Sequence, residues 1–319
     1  MSKMSTDLVR HALNGPTMGT RWSALFFSDT SVDTALLQAE LQAAVDAVDR
    51  QMSTWKADSD LMQLNAAPIG EWRPLPFHLL RVLGLGLAIG RASGGVFDIG
   101  MGQAVEAWGF GPSDADPLAI RAAMDHAHLP THDVLALANG QACKRAPLAI
   151  DLNGIAKGYG VDLLAEVLES HGVSSALVGI DGEMRAVGHR PDGTAWTIAI
   201  EAPDYERRAP FSMLALEDAA VATSGDYRHW ITVKDRRLSH TMDPARGAPL
   251  LHAPASVTVI APTCAEADAW ATALMVMGVD EGLRFAQQAQ LQALFLTRQP
   301  DGRVQSVGSG PLFGDADKN

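Results

Sequence analysis

The stretch Ile150–Asp162, reading I-D-L-N-G-I-A-K-G-Y-G-V-D, constrains this chain more than any other. An apolar run ending at Ile150 delivers Asp151 into a glycine-punctuated turn at Asn153–Gly154. The spacing of Leu163, Leu164, Val167 and Leu168 then predicts a helix from near Ala156 to Gly172. Strand end, acidic residue, tight turn and helix start together make a polar pocket at the end of a sheet. N–H groups at such a helix start favour anions, and Lys157 adds a positive charge there. On these residues alone, an ordinary strand–turn–helix connection fits equally well.

Helical spacing recurs at Thr34–Met52, through Leu37, Leu41, Val45 and Val48, and at Phe77–Ala92, which Gly94-Gly95 ends. Pro16–Phe27 reads as an opening strand with Met18-Gly19-Thr20 at its start, and residues 112–139 as a polar excursion. After the anchor helix, short apolar-rich segments predict strands at 175–179, 184–187, 196–201, 212–216, 219–224, 237–241 and 255–260. Helices at Ala265–Met277 and Asp280–Gln288 and a last strand at Ala293–Thr297 follow. Grouped strands with helices between them imply an α+β fold with a largely antiparallel sheet and flanking helices. The expected organisation is a disordered segment 1–14, one domain over 15–307, and a frayed tail 308–319.

A net charge of −12 argues against general nucleic-acid binding but leaves room for a small anionic ligand held by a local lysine. Two cysteines, Cys143 and Cys264, make a disulfide framework or a cysteine-rich metal site unlikely by count. The N-terminal residues carry no apolar secretory core and no run of about 18 apolar residues occurs, so no membrane span is expected. The expected location is cytoplasmic, or periplasmic if a leader has been removed. No dinucleotide fingerprint, P-loop or nucleophile elbow occurs in a fitting context.

Asp268 and Thr272 lie four apart on one helix, so their oxygens share a face and suit a hard cation such as Mg²⁺. Asp268 equally suits a helix start with no metal. His240, at a strand end before Met242-Asp243-Pro244, is a candidate general base, or a polar surface residue. Asp243 fits a turn-organising role. Trp55 offers a face for a planar ligand or a lid over the core, and Thr223-Ser224-Gly225-Asp226-Tyr227 a cluster of hydroxyls.

Seven blocks in order resemble the FAD:protein FMN transferase (ApbE-type) family. They are M-G-T at 18–20, M-S-T-W…S-D-L…N at 52–65, F-D-I-G-M-G…W-G-F-G at 97–111, and D-L-N-G-I-A-K-G-Y-G-V-D at 151–162. A-T-S-G-D-Y at 222–227, S-H-T-M-D-P…G at 239–247 and A-D-A-W-A-T-A at 267–273 complete the set. The resemblance implies a two-lobed, ApbE-like (T-fold-like) architecture that holds FAD between the lobes. It implies Mg²⁺-dependent cleavage of FAD, transfer of FMN to a Thr or Ser of an acceptor flavoprotein, and release of AMP. Met18, Trp55, Val96, Phe97, Asp98, Asp151, Lys157 and Met242 would contact FAD. Asp268, Thr272 and the Gly154 carbonyl would hold the metal, and His240 would be the base.

The chain departs from the family pattern at Gly100 and Gln103, where Thr and Pro are usual, and at Asp181 in the turn 179–183, where glycine is usual. These departures bear on ligand affinity, Asp181 through repulsion of a phosphate or harmlessly toward solvent. An FAD pyrophosphatase using water as acceptor and a non-catalytic FAD-binding protein are the alternative readings.

Overall fold

The computed structural model describes residues 8–125, 128–227, 230–233 and 236–314. Its centre is an eight-stranded sheet whose spatial order follows chain order. The strands are β1 (Val9–Thr17), β2 (Thr20–Ser28), β3 (Ala176–Ile180), β4 (Glu183–Val187), β5 (Ala220–Gly225), β6 (Ser256–Ala261), β7 (Gln292–Arg298) and β8 (Val304–Ser309). Every neighbouring pair is antiparallel, so the expected sheet type is the observed one.

Four longer helices frame it: α1 (Thr34–Met52), α2 (Phe77–Ala92), α3 (Ala156–Ser170) and α4 (Cys264–Gln288). The Asp33 carboxylate accepts from the N–H groups of Ala35 and Leu36, which starts α1. Leu37, Leu41, Val45 and Val48 then recur on its buried stripe. Leu37, Leu41 and Val45 pack with Trp22, Phe26, Val178 and Leu164 between α1, α3 and the sheet. The opposite face of the sheet is covered by a hairpin, Trp196–Glu201 with Pro210–Leu216, through Trp196, Ile198, Ile200 and Leu214. A third cluster, containing Leu79, Leu83, Phe97, Ile150, Ile155 and Ala269, joins α2 to α3 and α4 away from the sheet. The two helices expected near the C-terminus form α4, which is broken at Gly278 (φ 77°). That backbone angle lies in the left-handed region open to glycine.

Both ends depart from expectation. Val9–Asn14 are part of β1 rather than a disordered segment, paired with Ser23–Ser28 of β2. Met18 (φ 42°) and Gly19 (φ 73°) form the two-residue turn between these strands, so the opening strand is a hairpin. At the other end β8 pairs with β7, and Phe313 is buried beyond it, within the expected frayed tail. Residues 1–7 and 315–319 of those two segments lie outside the described residues. The polar excursion contains helices Pro117–Asp125 and Thr131–Val134 and the strand Leu135–Ala138.

One carboxylate ties α3, α4 and the sheet together. Asp162 on α3 accepts from Cys264 N (2.8 Å) and Ala265 N (2.9 Å) at the start of α4, and from Arg185 Nη1 of β4 (2.8 Å). Burial pushes its carboxyl above the usual range, and the two backbone donors and Arg185 pull it back only in part. Removing it leaves two helix-start N–H groups and a guanidinium without their acceptor. Asp162→Ala should therefore cost about 3 kcal/mol of unfolding free energy. Urea denaturation would check this, and a loss within error of zero would remove Asp162 from the frame.

Candidate flavin and metal site

α3 and α4 meet at their N-terminal ends, each supplying an acceptor to the other. Asp162 of α3 serves the first turn of α4, and Asp268 Oδ2 of α4 accepts from Gly158 N of α3 at 3.1 Å. Such close approach requires Gly158, because a Cβ there would overlap the Cys264 carbonyl. The Ala156 N–H donates to the Leu152 carbonyl (2.8 Å). Two first-turn donors of α3, Ala156 N and Gly158 N, are thus engaged within the protein rather than turned to an anion. Positive charge at this spot comes from Lys157.

Lys157 Nζ lies 3.0 Å from Glu183 Oε1 and 3.4 Å from Asp181 Oδ2, both at the β3–β4 turn. Burial works against its charge, but Glu183, Asp268 and Asp181 outweigh that and hold the ammonium above the usual lysine pKa. Asp181 (φ 54°) therefore points neither idly to solvent nor at an empty space: it is partnered by Lys157. Burial and then Glu183 raise the Asp268 carboxyl to about 7, against the pull of Lys157 and the Gly158 N–H. Burial likewise raises Glu183, whose Oε2 has no hydrogen-bond partner among the described residues.

One turn beyond Asp268, Thr272 Oγ1 lies 3.2 Å from Ser224 Oγ of β5. A Cβ on Gly154 would stand 3.1 Å from Thr272 Oγ1 and 3.5 Å from Phe97 Cε2, so these three positions adjoin. Asp268 and Thr272 thus stand one turn apart on α4 with Gly154 against Thr272, and a carboxylate, a hydroxyl and a backbone carbonyl are ligand types suited to a hard cation. Among the described residues no three His, Cys, Asp or Glu side chains converge to hold a metal. Met18 reaches the same region: its Cε would lie 3.2 Å from a Cβ on Gly160 of α3.

Phe97 is buried and Val96 half-buried on the segment 96–101, which Asp151 N ties to the turn before α3 through the Ile99 carbonyl (2.8 Å). The Asp151 carboxylate accepts from Asn153 N (2.8 Å) and Nδ2 (2.9 Å), and burial raises it to about 6. Asp98 is different. Its side chain is 1% exposed and accepts from Gly100 N (2.7 Å), Thr131 N (2.9 Å), Thr131 Oγ1 and the His128 ring (3.0 Å). Burial would raise this carboxyl, but those donors hold it below the usual range. A Cβ at Gly100 would overlap the Thr131 hydroxyl, so Thr131 fills the volume that a side chain at position 100 would take.

Trp55 is 65% exposed and so is no lid over the core. His240 and Met242 stand on another wall. Met242 is buried with Met101 and Ala104, and the Phe110 ring meets the His240 ring edge-on at 6.4 Å. Trp108 Nε1 donates to the Gly247 carbonyl (3.1 Å), which fixes the loop after His240, and Asp243 accepts from Ala245 N as expected of a turn organiser. Sequence reasoning missed Glu183 and Arg185 near Lys157 and Asp162, and Thr131 and His128 on Asp98. The only signal for Glu183 was its place in the departing turn.

The ApbE family model matches residues 18–295. The FAD:protein FMN transferases of Klebsiella pneumoniae and Vibrio cholerae are each 35% identical, both over 91% of this chain and over 85% and 88% of their own lengths. The apo structure of the Pseudomonas stutzeri flavinyl transferase ApbE superposes with a TM-score of 0.86 at 36% identity, covering 96% of this chain and 98% of that one. The flavin transferase ApbE of Vibrio cholerae gives 0.83 at 33% identity, with 95% and 97% covered. These matches agree: this chain belongs to the ApbE family.

Proposed function

We propose that this protein cleaves FAD and transfers its FMN half to a Thr or Ser hydroxyl of an acceptor flavoprotein, releasing AMP. The observation that carries this reading is the meeting of Asp268, Thr272 and Gly154 with Phe97 and Lys157 where α3 joins α4, in a chain of this family. Asp268, Thr272 and the Gly154 carbonyl would hold Mg²⁺, which when bound supplies Lewis-acid neutralisation of the pyrophosphate. Phe97 and Val96 line the flavin, Met18 and the exposed face of Trp55 flank it, and Lys157 offsets phosphate charge. Asp151 and Met242 complete the contacts with FAD. Asp98 acts on FAD through the segment it holds.

In the transfer, the acceptor oxygen attacks the phosphorus of the FMN half. A new phosphoester P–O bond forms as the P–O bond to the bridging oxygen breaks, and AMP leaves with that oxygen. A Thr hydroxyl is a weak nucleophile at neutral pH, so the His240 imidazole takes its proton. Transfer of this kind rests on positioning and charge neutralisation rather than on covalent intermediates with the protein.

Incubation with FAD, Mg²⁺ and candidate acceptors, followed by intact-mass spectrometry, should give an acceptor heavier by one FMN with AMP released. FMN and AMP beside unmodified acceptors would point to the pyrophosphatase, and FAD recovered intact to a binding protein. His240→Ala should slow transfer by about 10²–10⁴-fold while FAD still binds. Asp268→Asn, or chelation of the wild type by EDTA, should remove several kcal/mol of transition-state stabilisation, about 10²–10³-fold in rate. Transfer that survives EDTA would overturn the metal assignment.

The Gly100–Thr131 contact gives a separate check. Gly100→Ser should destabilise by about 1–3 kcal/mol through overpacking and weaken FAD binding. Combining it with Thr131→Ala should recover much of both losses, because the new hydroxyl takes the vacated place on Asp98. Denaturation and FAD titration of the two single variants and the double would read this, and strictly additive losses would reject it.

A further inference from the structure

A cleft of about 390 Å³ opens where the ends of β5 and β7 meet residues 250–254 and the break in α4. Tyr205, Asp226, Ser239, Ala253, Val279 and Thr297 are among its walls. Two stretches of chain run from it directly into the proposed reaction centre. Ser224 on β5 touches Thr272, and Asp226, two residues on, faces the cleft. Two residues of chain span at most about 7 Å, so Asp226 lies within that reach of Ser224. On the strand Arg236–Ser239, Ser239 lines the cleft, and His240 follows at once.

The Asp226 carboxylate in the wall is already matched. Arg298 forks onto both oxygens of Asp226 (2.9 and 2.7 Å), and its Nε donates to the Pro203 carbonyl (2.8 Å). The Tyr205 ring lies 4.2 Å from the same guanidinium. A bidentate pair stacked on an aromatic ring holds one geometry, and its guanidinium is committed to Asp226. The rest of the described lining is hydroxyl, apolar and one imidazole: Ser239 and Thr297 beside Leu250 and Val279, with His252 and Leu251 (45% exposed) at the mouth. Neutral peptide groups and small apolar side chains match such hydroxyl and apolar walls.

We propose that this cleft docks an extended segment of the acceptor protein flanking its Thr or Ser, and so delivers that hydroxyl to His240. The assignment rests on the transferase reading, and FAD occupies the separate region around Phe97, Lys157 and Thr272.

The test uses full-length protein, the acceptor flavinylated in the mass-spectrometric assay, and a 12-residue peptide spanning its modified residue. Ala253→Trp narrows the cleft, and Leu251→Glu, at an exposed position, charges its mouth without disturbing the core. Both should raise KM for acceptor and peptide by tenfold or more, with kcat at saturation near wild type. FAD affinity and Mg²⁺-dependent release of AMP with water as acceptor should stay unchanged. An unchanged acceptor KM in both variants would overturn the docking site. A loss of FAD affinity instead would give the cleft to the adenosine half of FAD, which also overturns it. A wild-type protein that makes FMN and AMP but modifies no acceptor would bring down the transferase reading itself.

Discussion

The exchange of carboxylates between α3 and α4 is the interaction on which the rest of the site depends. A helix start leaves N–H donors that must find partners when buried. Here Asp162 serves Cys264 and Ala265, and Asp268 serves Gly158, so each helix terminates the other's unmet demand. Those bonds fix α4 in register on α3, which brings Thr272 against Gly154 and Ser224. Arg185 extends the same link to β4, and thereby to the turn that carries Asp181 and Glu183. A shift of α4 by one residue would rotate Asp268 away from Gly158 and Thr272 away from Gly154 together.

A second frame holds the wall opposite. Asp98 draws Thr131 and His128 onto the segment 96–101, and the excursion between them sends Ala123 against the loop that follows His240. A Cβ on Gly247 would overlap the Ala123 carbonyl, which shows how closely the two are pressed. The same excursion therefore supports the residues proposed to line the flavin and those proposed to activate the acceptor. Asp98 contributes through these bonds, since its own carboxylate is sealed from solvent.

Local periodicity carried most of the fold. The helices Thr34–Met52 and Phe77–Ala92 have the expected bounds, because Leu37, Leu41, Val45 and Val48 form an unbroken buried stripe in the first. β1 escaped because its inward positions, His11, Leu13, Gly15 and Thr17, hold one large apolar residue, so the alternation in its burial is not written in its hydropathy. The tail strand hid behind glycines at 308 and 310, where no side chain marks a face. Within the site, Asp268 and Thr272 were legible because four-residue spacing on a helix is a local fact. Thr131 on Asp98 and Glu183 on Lys157 were not, since 33 and 26 residues separate the partners and only the tertiary fold closes those distances. Gly100 read as a lost side chain, and the structure gives its reason in the Thr131 hydroxyl that stands there.

Local charge explains why a cation and the proposed chemistry belong together in this chain. Lys157 is the ammonium set among Asp181, Glu183 and Asp268, so the place where a pyrophosphate would sit is acidic rather than basic. A dianionic ligand would be repelled by that cluster, and burial, with Glu183 beside it, already raises the Asp268 carboxyl to about 7. A bound divalent cation reverses both effects: it favours ionised Asp268 and offers the phosphates an uncommitted positive charge. Glycine at position 181 would remove one of these repulsions, whereas Asp181 adds it and at the same time tethers Lys157. On the proposed site, affinity for FAD would depend on metal more steeply than the ligand oxygens alone imply, because the metal would have surplus acid to neutralise as well as phosphate to bind.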